Sequence, residues 1–172
     1  DELAAQFGAD RVRSAVCDVT NEEQVQALLD VAEAEGPIDV MINNAGLGGT
    51  ASILEMTDAQ WQLVQDVTLT GTFRCLRAVG NRMVAAGTAG VIVNNASVIG
   101  WRAQAGQAHY AAAKAGVMAL TRSAAIDLAE HGIRVNAVSP SLAMHPFLEK
   151  VTTPELLEEL KGREAFGRAA EP

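Results

Sequence analysis

The sequence predicts an α/β fold in which a parallel β-sheet is covered by helices on both faces. Short apolar segments of strand character alternate with longer segments whose apolar residues recur at helical spacing. The strand segments are almost continuously apolar, as strands are when both faces of their sheet are buried. Neither a repeat nor a linker interrupts this alternation, so we expect residues 1–172 to form one domain.

The first half of the chain contains two strand segments, each followed by a helix. Residues 11–19 are rich in β-branched side chains, and Thr20 then begins a helix as the first residue of a capping box. The second strand, 39–43, runs into a turn of small residues. Thr57 begins a second capping box, and the long apolar pattern after it predicts a long helix.

The second half repeats the alternation. Residues 90–94 and 133–138 are apolar enough to be the third and fourth strands, and 109–130 form the helix between them. Thr153 followed by Pro154 is a typical N-cap with proline in the first helical turn, so a last helix is expected there.

Composition and charge argue against several classes of binding partner. The formal net charge is −8, which leaves no excess of Lys and Arg to neutralise a nucleic-acid backbone. Cys17 and Cys75 lie in apolar segments away from any metal-ligand spacing, so we expect reduced core thiols and no metal site. No apolar run is long enough to span a bilayer, and no signal peptide opens the chain, which favours a cytoplasmic protein.

Three motifs occur in an order that identifies a family. Residues 43–46 read Asn-Asn-Ala-Gly, Ser97 follows the third strand, and Tyr110 and Lys114 form a Tyr-x-x-x-Lys motif thirteen residues after that serine. Each motif alone is common. Together, and followed by Arg-Val-Asn-Ala-Val-Ser-Pro, they closely resemble the short-chain dehydrogenase/reductase family, from Arg11 to the end of the chain.

The resemblance implies a Rossmann-like, doubly wound fold of which this chain is the central portion. In the family, two strands and a glycine-rich phosphate loop precede the matched region, and a last strand follows it. Both ends of the chain therefore look truncated. The missing strands would lie in the middle of the sheet, so we expect the chain by itself neither to fold nor to bind cofactor, and therefore to be inactive.

The catalytic set implied by the resemblance is Ser97, Tyr110 and Lys114. A ketone reduced by a nicotinamide needs an acid that protonates its oxygen, and Tyr110 would be that acid. Lys114 follows one turn later on the same helix face, so its ammonium is expected to lower the pKa of Tyr110. Ser97 would donate a hydrogen bond to the same oxygen.

Further residues match family positions that contact NAD or NADP. The choice between the two cofactors is open, because the residue that reads the adenosine ribose lies outside the matched region. The expected contacts are Asp18, Val19, Asn44, Ala45, Gly46, Tyr110, Lys114, Pro140, Ser141 and Ala143.

Two of the matched positions depart from the family pattern. Ser141 stands where the family usually has glycine after Pro140. Thr68 stands where the family has an asparagine that fixes a water for the proton relay, and the resemblance makes it the fourth member of the expected catalytic set. Threonine can hold a water through its hydroxyl, but it lacks the donors of an amide.

The substrate is expected to be a bulky, apolar carbonyl compound. Residues after Ser97 and after the fourth strand resemble a bacterial subgroup that acts on coenzyme A thioesters of steroid-ring fragments, and 3-oxoacyl-acyl-carrier-protein reductases fit almost as well. Apolar walls with a few hydrogen bonders suit either substrate. The candidate substrate contacts are Trp101, Gln104, Gln107, His109, Met144 and Phe147.

A hypothesis of a different class is a non-catalytic, cofactor-binding scaffold that keeps the fold without turnover. The presence of Ser97, Tyr110 and Lys114 favours the enzyme. By resemblance, a homodimer or homotetramer is also expected, while partners such as nucleic acid or membrane are not.

Overall fold

The computed structural model describes residues 2–8, 10–144, 153–164 and 166–170. Its strands are β1 (Val40–Asn43), β2 (Val91–Asn95) and β3 (Arg134–Val138). Its helices are α1 (Glu2–Phe7), α2 (Glu22–Ala32), α3 (Asp58–Val64), α4 (Gly71–Ala86), α5 (Ala108–Asp127) and α6 (Pro154–Gly162). A π-helical turn, Gln65–Thr70, joins α3 to α4, and short 3₁₀ turns lie at Glu33–Glu35, Val98–Gly100 and Ala129–His131.

The three strands form one parallel sheet in the order β1-β2-β3. Val40 pairs with Val91, and Ile92 pairs with Val135. Parallel neighbours need crossover connections, and α3 with α4, and then α5, supply them. The predicted Rossmann-like α/β class and the three strands after residue 39 are confirmed.

The core lies between the sheet and helices α2, α4 and α5. Its largest fully buried side chains include Leu29 of α2, Met83 of α4, and Ile92 and Ile133 at the sheet. Each such side chain contributes about 1.5–3 kcal/mol to folding through removal from water. All three helices share this one core with the strands, so they cover the same face of the sheet.

The opposite face of the sheet differs from the prediction that helices cover both sides. Val40 and Ile42, whose side chains alternate away from the core, are 56% and 65% exposed. Among the described residues, no helix packs on them. Two exposed β-branched side chains on one strand are typical of a sheet surface that another element covers.

Residues 11–19 are not a strand, contrary to prediction. The segment has no regular secondary structure and pairs with no strand in the described chain, and Val16 is fully exposed. A β-strand requires a hydrogen-bonded neighbour, which local sequence cannot guarantee. Cys17 and Val19 nevertheless pack against the core, so the segment remains attached to the domain.

Helix starts follow the predicted caps with one correction. Thr57 caps α3 in a complete capping box with Gln60, and the Thr153 side chain accepts from the amide of Leu156 at the start of α6. The cap of α2, however, is Asn21 rather than Thr20. Thr20 instead donates its backbone amide and its hydroxyl to the preceding Asp18 side chain, which takes it out of the capping position.

None of the helices in the described ranges is long and apolar enough to cross a membrane.

Candidate active site

Three loops meet at the carboxyl edge of the sheet, where open α/β folds collect their ligands. One follows β1, the second follows β2 and contains Ser97, and the third follows β3. Backbone hydrogen bonds from Ala96 to Val138 (2.8 Å) and from Val98 to Pro140 (3.1 Å) join the last two. The Ser97 side chain caps the next turn by accepting from the Ile99 amide at 3.2 Å.

These loops border a cleft of about 650 Å³. The first two turns of α5 form one of its walls and present Tyr110 and Lys114 to it. Eight predicted site residues line the cleft: Asn44, Gly46, Ser97, Gln104, Gln107, Tyr110, Lys114 and Ser141. The parallel arrangement therefore gathers residues that are distant in sequence.

Tyr110 is placed to act as an acid. Burial raises the pKa of its phenol, and hydrogen bonding with Ser97 opposes part of that rise. The two side chains are therefore within reach of one another, as joint donors to one substrate oxygen must be. A phenol with a raised pKa is held protonated, which suits it to carbonyl reduction.

The Lys114 side chain is more deeply buried than the sequence suggested. It is only 3% exposed, and its Nζ donates to the backbone carbonyl of Asn95 at 2.5 Å. Burial lowers the pKa of Lys114 to about 8. Its Nζ lies 5.6 Å from the centroid of the Tyr110 ring.

The expected lowering of the Tyr110 pKa by Lys114 is therefore wrong. Desolvation disfavours the charged form of each group, so it raises the pKa of Tyr110 and lowers that of Lys114. Lowering the Tyr110 pKa would require a further positive charge in the cleft.

Thr68 has two hydrogen bonds that fix the loop after β1. It is fully buried in the π-helical turn, and its hydroxyl donates to the carbonyl of Leu47 at 3.0 Å and accepts from the Leu47 amide at 2.9 Å. The hydroxyl of Thr72 in turn donates to the Thr68 carbonyl at 2.8 Å. Thr68 does not line the cleft, so its contact with the reaction would run through Leu47.

The loop held by Thr68 is rich in glycine and runs along the catalytic helix. A Cβ atom at Gly46 would lie 3.5 Å from Lys114 Nζ, and one at Gly48 would lie 3.5 Å from the Tyr110 ring. Larger side chains at these positions would occupy the space beside Tyr110. Glycine keeps that space open and lets the backbone approach a ligand closely.

A network of asparagines crosses the sheet beneath the cleft. Asn43 donates to Asn94 at 2.8 Å, and Asn94 donates to the hydroxyl of Thr121 in α5 at 2.9 Å. Asn95 donates to the Asn44 side chain at 2.7 Å. The network ties the catalytic helix to both β1 and β2.

Two buried oxygens in this network, Oδ1 of Asn43 and Oδ1 of Asn95, have no hydrogen-bond partner among the residues that the structure describes. A buried acceptor without a partner costs about 1–3 kcal/mol, so such atoms typically meet a ligand or a water. Asn95, Asn44, Tyr110 and Lys114 line the cleft and together present the donors and acceptors that a ribose hydroxyl and a carboxamide require. The cleft therefore fits the nicotinamide-ribose end of a dinucleotide.

Several predicted cofactor contacts lie away from the cleft lining. The Asp18 carboxylate is held by Thr20, and a Cβ at Gly71 would lie 2.6 Å from Val19, so Val19 packs on the start of α4.

The other predicted cofactor contacts outside the cleft lining belong to the loops that follow the strands. Ala45 lies in the loop after β1 and Pro140 in the loop after β3. Ala143 forms an isolated bridge with Ala170.

The predicted substrate contacts are divided in the same way. Gln107 donates to Thr50 at 3.4 Å across the cleft mouth, while Trp101 is 73% exposed. His109 is 2% exposed, and its Nδ1 accepts from the Tyr110 amide at 2.9 Å, so it supports the helix start.

Two predicted substrate contacts come after β3. The amide of Met144 donates to the carbonyl of Ala170 at 2.9 Å. The last predicted contact, Phe147, lies outside the described residues.

Sequence reasoning missed much of the cleft wall. The additional lining residues are Gly48, Gly49, Thr50, Asn95, Val98, Ile99, Arg102, Leu142, Leu156, Leu160 and Glu164. The glycines and Asn95 adjoin recognised motifs and could have been found by extending them. The α6 residues carried no local signal. No group of three or more His, Cys, Asp or Glu side chains that could hold a metal occurs within the ranges described.

Comparison with known proteins agrees with this geometry. The profile of the family described as enoyl-(acyl carrier protein) reductase matches residues 1–172. A relative from Mycobacterium tuberculosis, (5R,7aS)-5-hydroxy-7a-methyl-1-oxo-2,3,5,6,7,7a-hexahydro-1H-indene-carboxyl-CoA reductase, is 58% identical over 172 residues. The match covers 99% of this chain and 65% of that relative.

Two solved structures are similar throughout. A short chain dehydrogenase from Mycobacterium smegmatis has a TM-score of 0.81 and 49% identity, covering 99% of this chain and 63% of the other. NAD⁺-bound xylitol dehydrogenase has a TM-score of 0.88 and 32% identity, covering 99% and 72%. The chain thus spans about two thirds of the length of the proteins it matches. From the family profile and these relatives, the chain belongs to the short-chain dehydrogenase/reductase family.

Proposed function

We propose that the intact protein is a nicotinamide-dependent oxidoreductase that reduces a keto group, or oxidises the corresponding hydroxy group, on an apolar acyl substrate. The observation that carries this proposal is the presence of Ser97, Tyr110 and Lys114 in one cleft at the carboxyl edge of the sheet. A scaffold that only binds cofactor would need neither the acid nor its serine neighbour.

The residues divide the chemistry of reduction between them. The bound cofactor supplies a hydride to the carbonyl carbon. Tyr110 gives its phenolic proton to the carbonyl oxygen, and Ser97 donates a hydrogen bond to that oxygen as negative charge develops. Lys114, which donates to the Asn95 carbonyl at the end of β2, would hold the nicotinamide ribose beside Tyr110. Thr68 acts as a positioning residue, since it fixes the loop that borders Tyr110.

NAD is the proposed cofactor. Support comes from the similarity to NAD⁺-bound xylitol dehydrogenase and from a 41% identical Mycobacterium tuberculosis relative named as an NAD-dependent oxidoreductase. Asn44, Gly46 and Lys114 would hold the nicotinamide ribose, and Pro140, Ser141 and Ala143 would lie near the carboxamide. Asp18 and Val19 would meet the adenine. NADP is the alternative that the assay below distinguishes.

A coenzyme A thioester carrying a partly reduced ring system is the proposed substrate class. The relative that is 58% identical is named as a reductase of an indene-carboxyl-CoA, and Leu156, Leu160, Val98 and Ile99 give the cleft an apolar lining that suits a hydrocarbon ring. Gln104 and Gln107 would supply hydrogen bonds. The alternative is a 3-oxoacyl group on an acyl carrier protein.

We further propose that additional strands complete the sheet in the intact protein. The position of β1 at the edge of the sheet, the unpaired segment 11–19 and the greater length of the relatives support this. Two further strands between segment 11–19 and β1 would form hydrogen bonds with the unpaired edge of each. The chain by itself would then be inactive.

A homodimer or homotetramer is proposed on the surface of α5. Ala112, Ala115 and Ala119 are exposed along it and Ile126 is 77% exposed, so the outer side of this helix carries small and apolar side chains beside the exposed Arg122 and Ser123. Small residues allow close helix packing between subunits. Light scattering on the intact protein tests this.

A cytoplasmic location is consistent with the cysteines. Cys75 is buried, Cys17 is half-buried, and both are free thiols. Burial raises the pKa of Cys75 to about 11, which keeps it unreactive.

The test is an assay of the intact protein that follows oxidation of NADH or NADPH. The substrates are a bicyclic indane ketone as its coenzyme A thioester, a short 3-oxoacyl-CoA and a 3-oxoacyl-acyl-carrier protein. Turnover of the bicyclic thioester with NADH supports the proposal. Turnover of only the carrier-protein substrate favours the alternative, and cofactor binding without turnover of any substrate favours the scaffold.

A further inference from the structure

Three polar side chains from distant parts of the chain meet at one side of the cleft. The hydroxyl of Ser141 donates to Oε1 of Glu164 at 2.6 Å. Arg102 donates from Nη2 to the same Oε1 at 3.3 Å and to the Ser141 oxygen at 3.5 Å. All three residues line the cleft that holds Tyr110. We call this trio the clasp.

The clasp joins the catalytic side of the cleft to α6. Arg102 follows the turn that begins at Ser97, Ser141 follows β3, and Glu164 follows the C-terminus of α6. On α6, Leu156 and Leu160 face the cleft. Glu164 is thus connected through α6 to apolar side chains that line the same cleft as Tyr110.

Burial and charge identify Glu164 as the centre of the clasp. Its side chain is only 16% exposed, whereas that of Arg102 is 50% exposed. Hydrogen bonding from Ser141, with smaller contributions from Arg102 and the Leu142 backbone amide, holds the pKa of Glu164 below its ordinary value. The carboxylate is therefore charged at neutral pH.

A second contact strengthens the same junction. The amide of Ala170 donates to the carbonyl of Leu142 at 2.8 Å, and the amide of Met144 donates to the carbonyl of Ala170 at 2.9 Å. The segment after α6 is thus tied by backbone to the loop after β3. The clasp adds the side-chain link that fixes where α6 itself ends.

We propose that Ser141, Arg102 and Glu164 are specificity-determining residues that position α6, so that Leu156 and Leu160 shape the cleft for a bulky ring substrate. This inference rests on the proposed function. It also explains why serine occupies position 141. Glycine or alanine there would leave the Glu164 carboxylate without its shortest hydrogen bond.

Steady-state kinetics of the intact protein test the inference with two substrates, the bicyclic indane thioester and a short 3-oxoacyl-CoA. For Glu164→Ala and Ser141→Ala, we expect KM for the bicyclic substrate to rise about tenfold, the equivalent of one strong hydrogen bond. KM for the short substrate should rise much less, because that substrate does not reach α6. Ser141→Thr keeps the hydroxyl and should restore most of the preference.

A matched control lies on the same helix. Glu158 is 73% exposed, pairs with Lys161 at 2.7 Å and does not line the cleft, so Glu158→Gln should leave both KM values unchanged. Equal KM shifts for the two substrates, or no shift in Glu164→Ala, would overturn the inference.

Hydrogen exchange provides a readout that is independent of turnover. Amides of α6 should exchange faster in Glu164→Ala than in wild type. Their exchange rates in Glu158→Gln should equal those of wild type. If the wild type reduced neither substrate, the proposed function would fail. Unaltered exchange of α6 in Glu164→Ala would then contradict the positioning role by itself.

Discussion

The side chain of Lys114 donates a hydrogen bond to the backbone carbonyl of Asn95 at 2.5 Å, at the last residue of β2. This contact joins α5 to the strand that leads to Ser97. Because Asn95 also donates to Asn44 at 2.7 Å, one residue connects Lys114 to the loop after β1. The position of the ammonium therefore depends on the strand end.

Lys114 should make the stability of the protein depend on pH. Its pKa is about 8 in the folded protein against 10.5 when exposed, so between these values the unfolded chain binds more protons than the folded one. The free energy of unfolding contributed by Lys114 therefore rises with pH across that window, by at most about 3 kcal/mol.

Urea unfolding of wild type and Lys114→Met at pH 7 and pH 10 isolates this effect, since other groups titrate equally in both proteins. The wild type should gain stability relative to the variant at the higher pH. A difference between the two proteins that stays constant with pH would show that the pKa of Lys114 is not lowered.

Loss of the Thr68 hydroxyl should lower both the free energy of unfolding and the affinity for NADH. Thr68→Val removes both hydrogen bonds to Leu47 while keeping the shape of the side chain, and we expect the protein to lose about 1–3 kcal/mol of stability. The loosened loop should also weaken NADH binding. Thr68→Ser keeps the hydroxyl and serves as the matched control.

Calorimetry of NADH binding, together with chemical unfolding, measures both effects of Thr68. A Val variant that loses stability but binds NADH as the wild type does would restrict Thr68 to a structural role.

Asn95 should orient the nicotinamide site through Asn44. Asn95→Ala removes the side-chain hydrogen bond and leaves the backbone carbonyl for Lys114, so the Kd for NADH should rise about fivefold, the equivalent of one ordinary hydrogen bond. The control is Asn136→Ala, an exposed asparagine of β3 that does not line the cleft. Equal Kd values for the two variants would exclude this role of Asn95.

Local patterns predicted the parts of the fold that depend on local energetics. The caps at Thr57 and Thr153 and the three apolar strands after residue 39 follow from nearest-neighbour hydrogen bonding and burial, and the structure contains them. Residues 11–19 failed as a strand because a ladder needs a distant partner. The single covered face of the sheet likewise depends on long-range packing.

In the candidate site, too, residues that belong to local motifs could be predicted, whereas those that depend on long-range packing could not. The motif residues Ser97, Tyr110 and Lys114 could be placed in one cleft because parallel strands bring their carboxyl ends to one edge. Glu164 could not, because its partner Arg102 is 62 residues away and neither belongs to a motif. The direction of the Tyr110 pKa was wrong for a related reason, since burial is a property of the whole fold.

The most direct test of the account compares wild type with Tyr110→Phe in the intact protein, at saturating NADH and bicyclic indane thioester. Phenylalanine keeps the ring and removes only the acidic hydroxyl. We expect kcat to fall by about 10²–10⁴-fold, as loss of general acid catalysis requires, with NADH binding retained. A Tyr110→Phe variant that reduced the thioester at the wild-type rate would contradict the account.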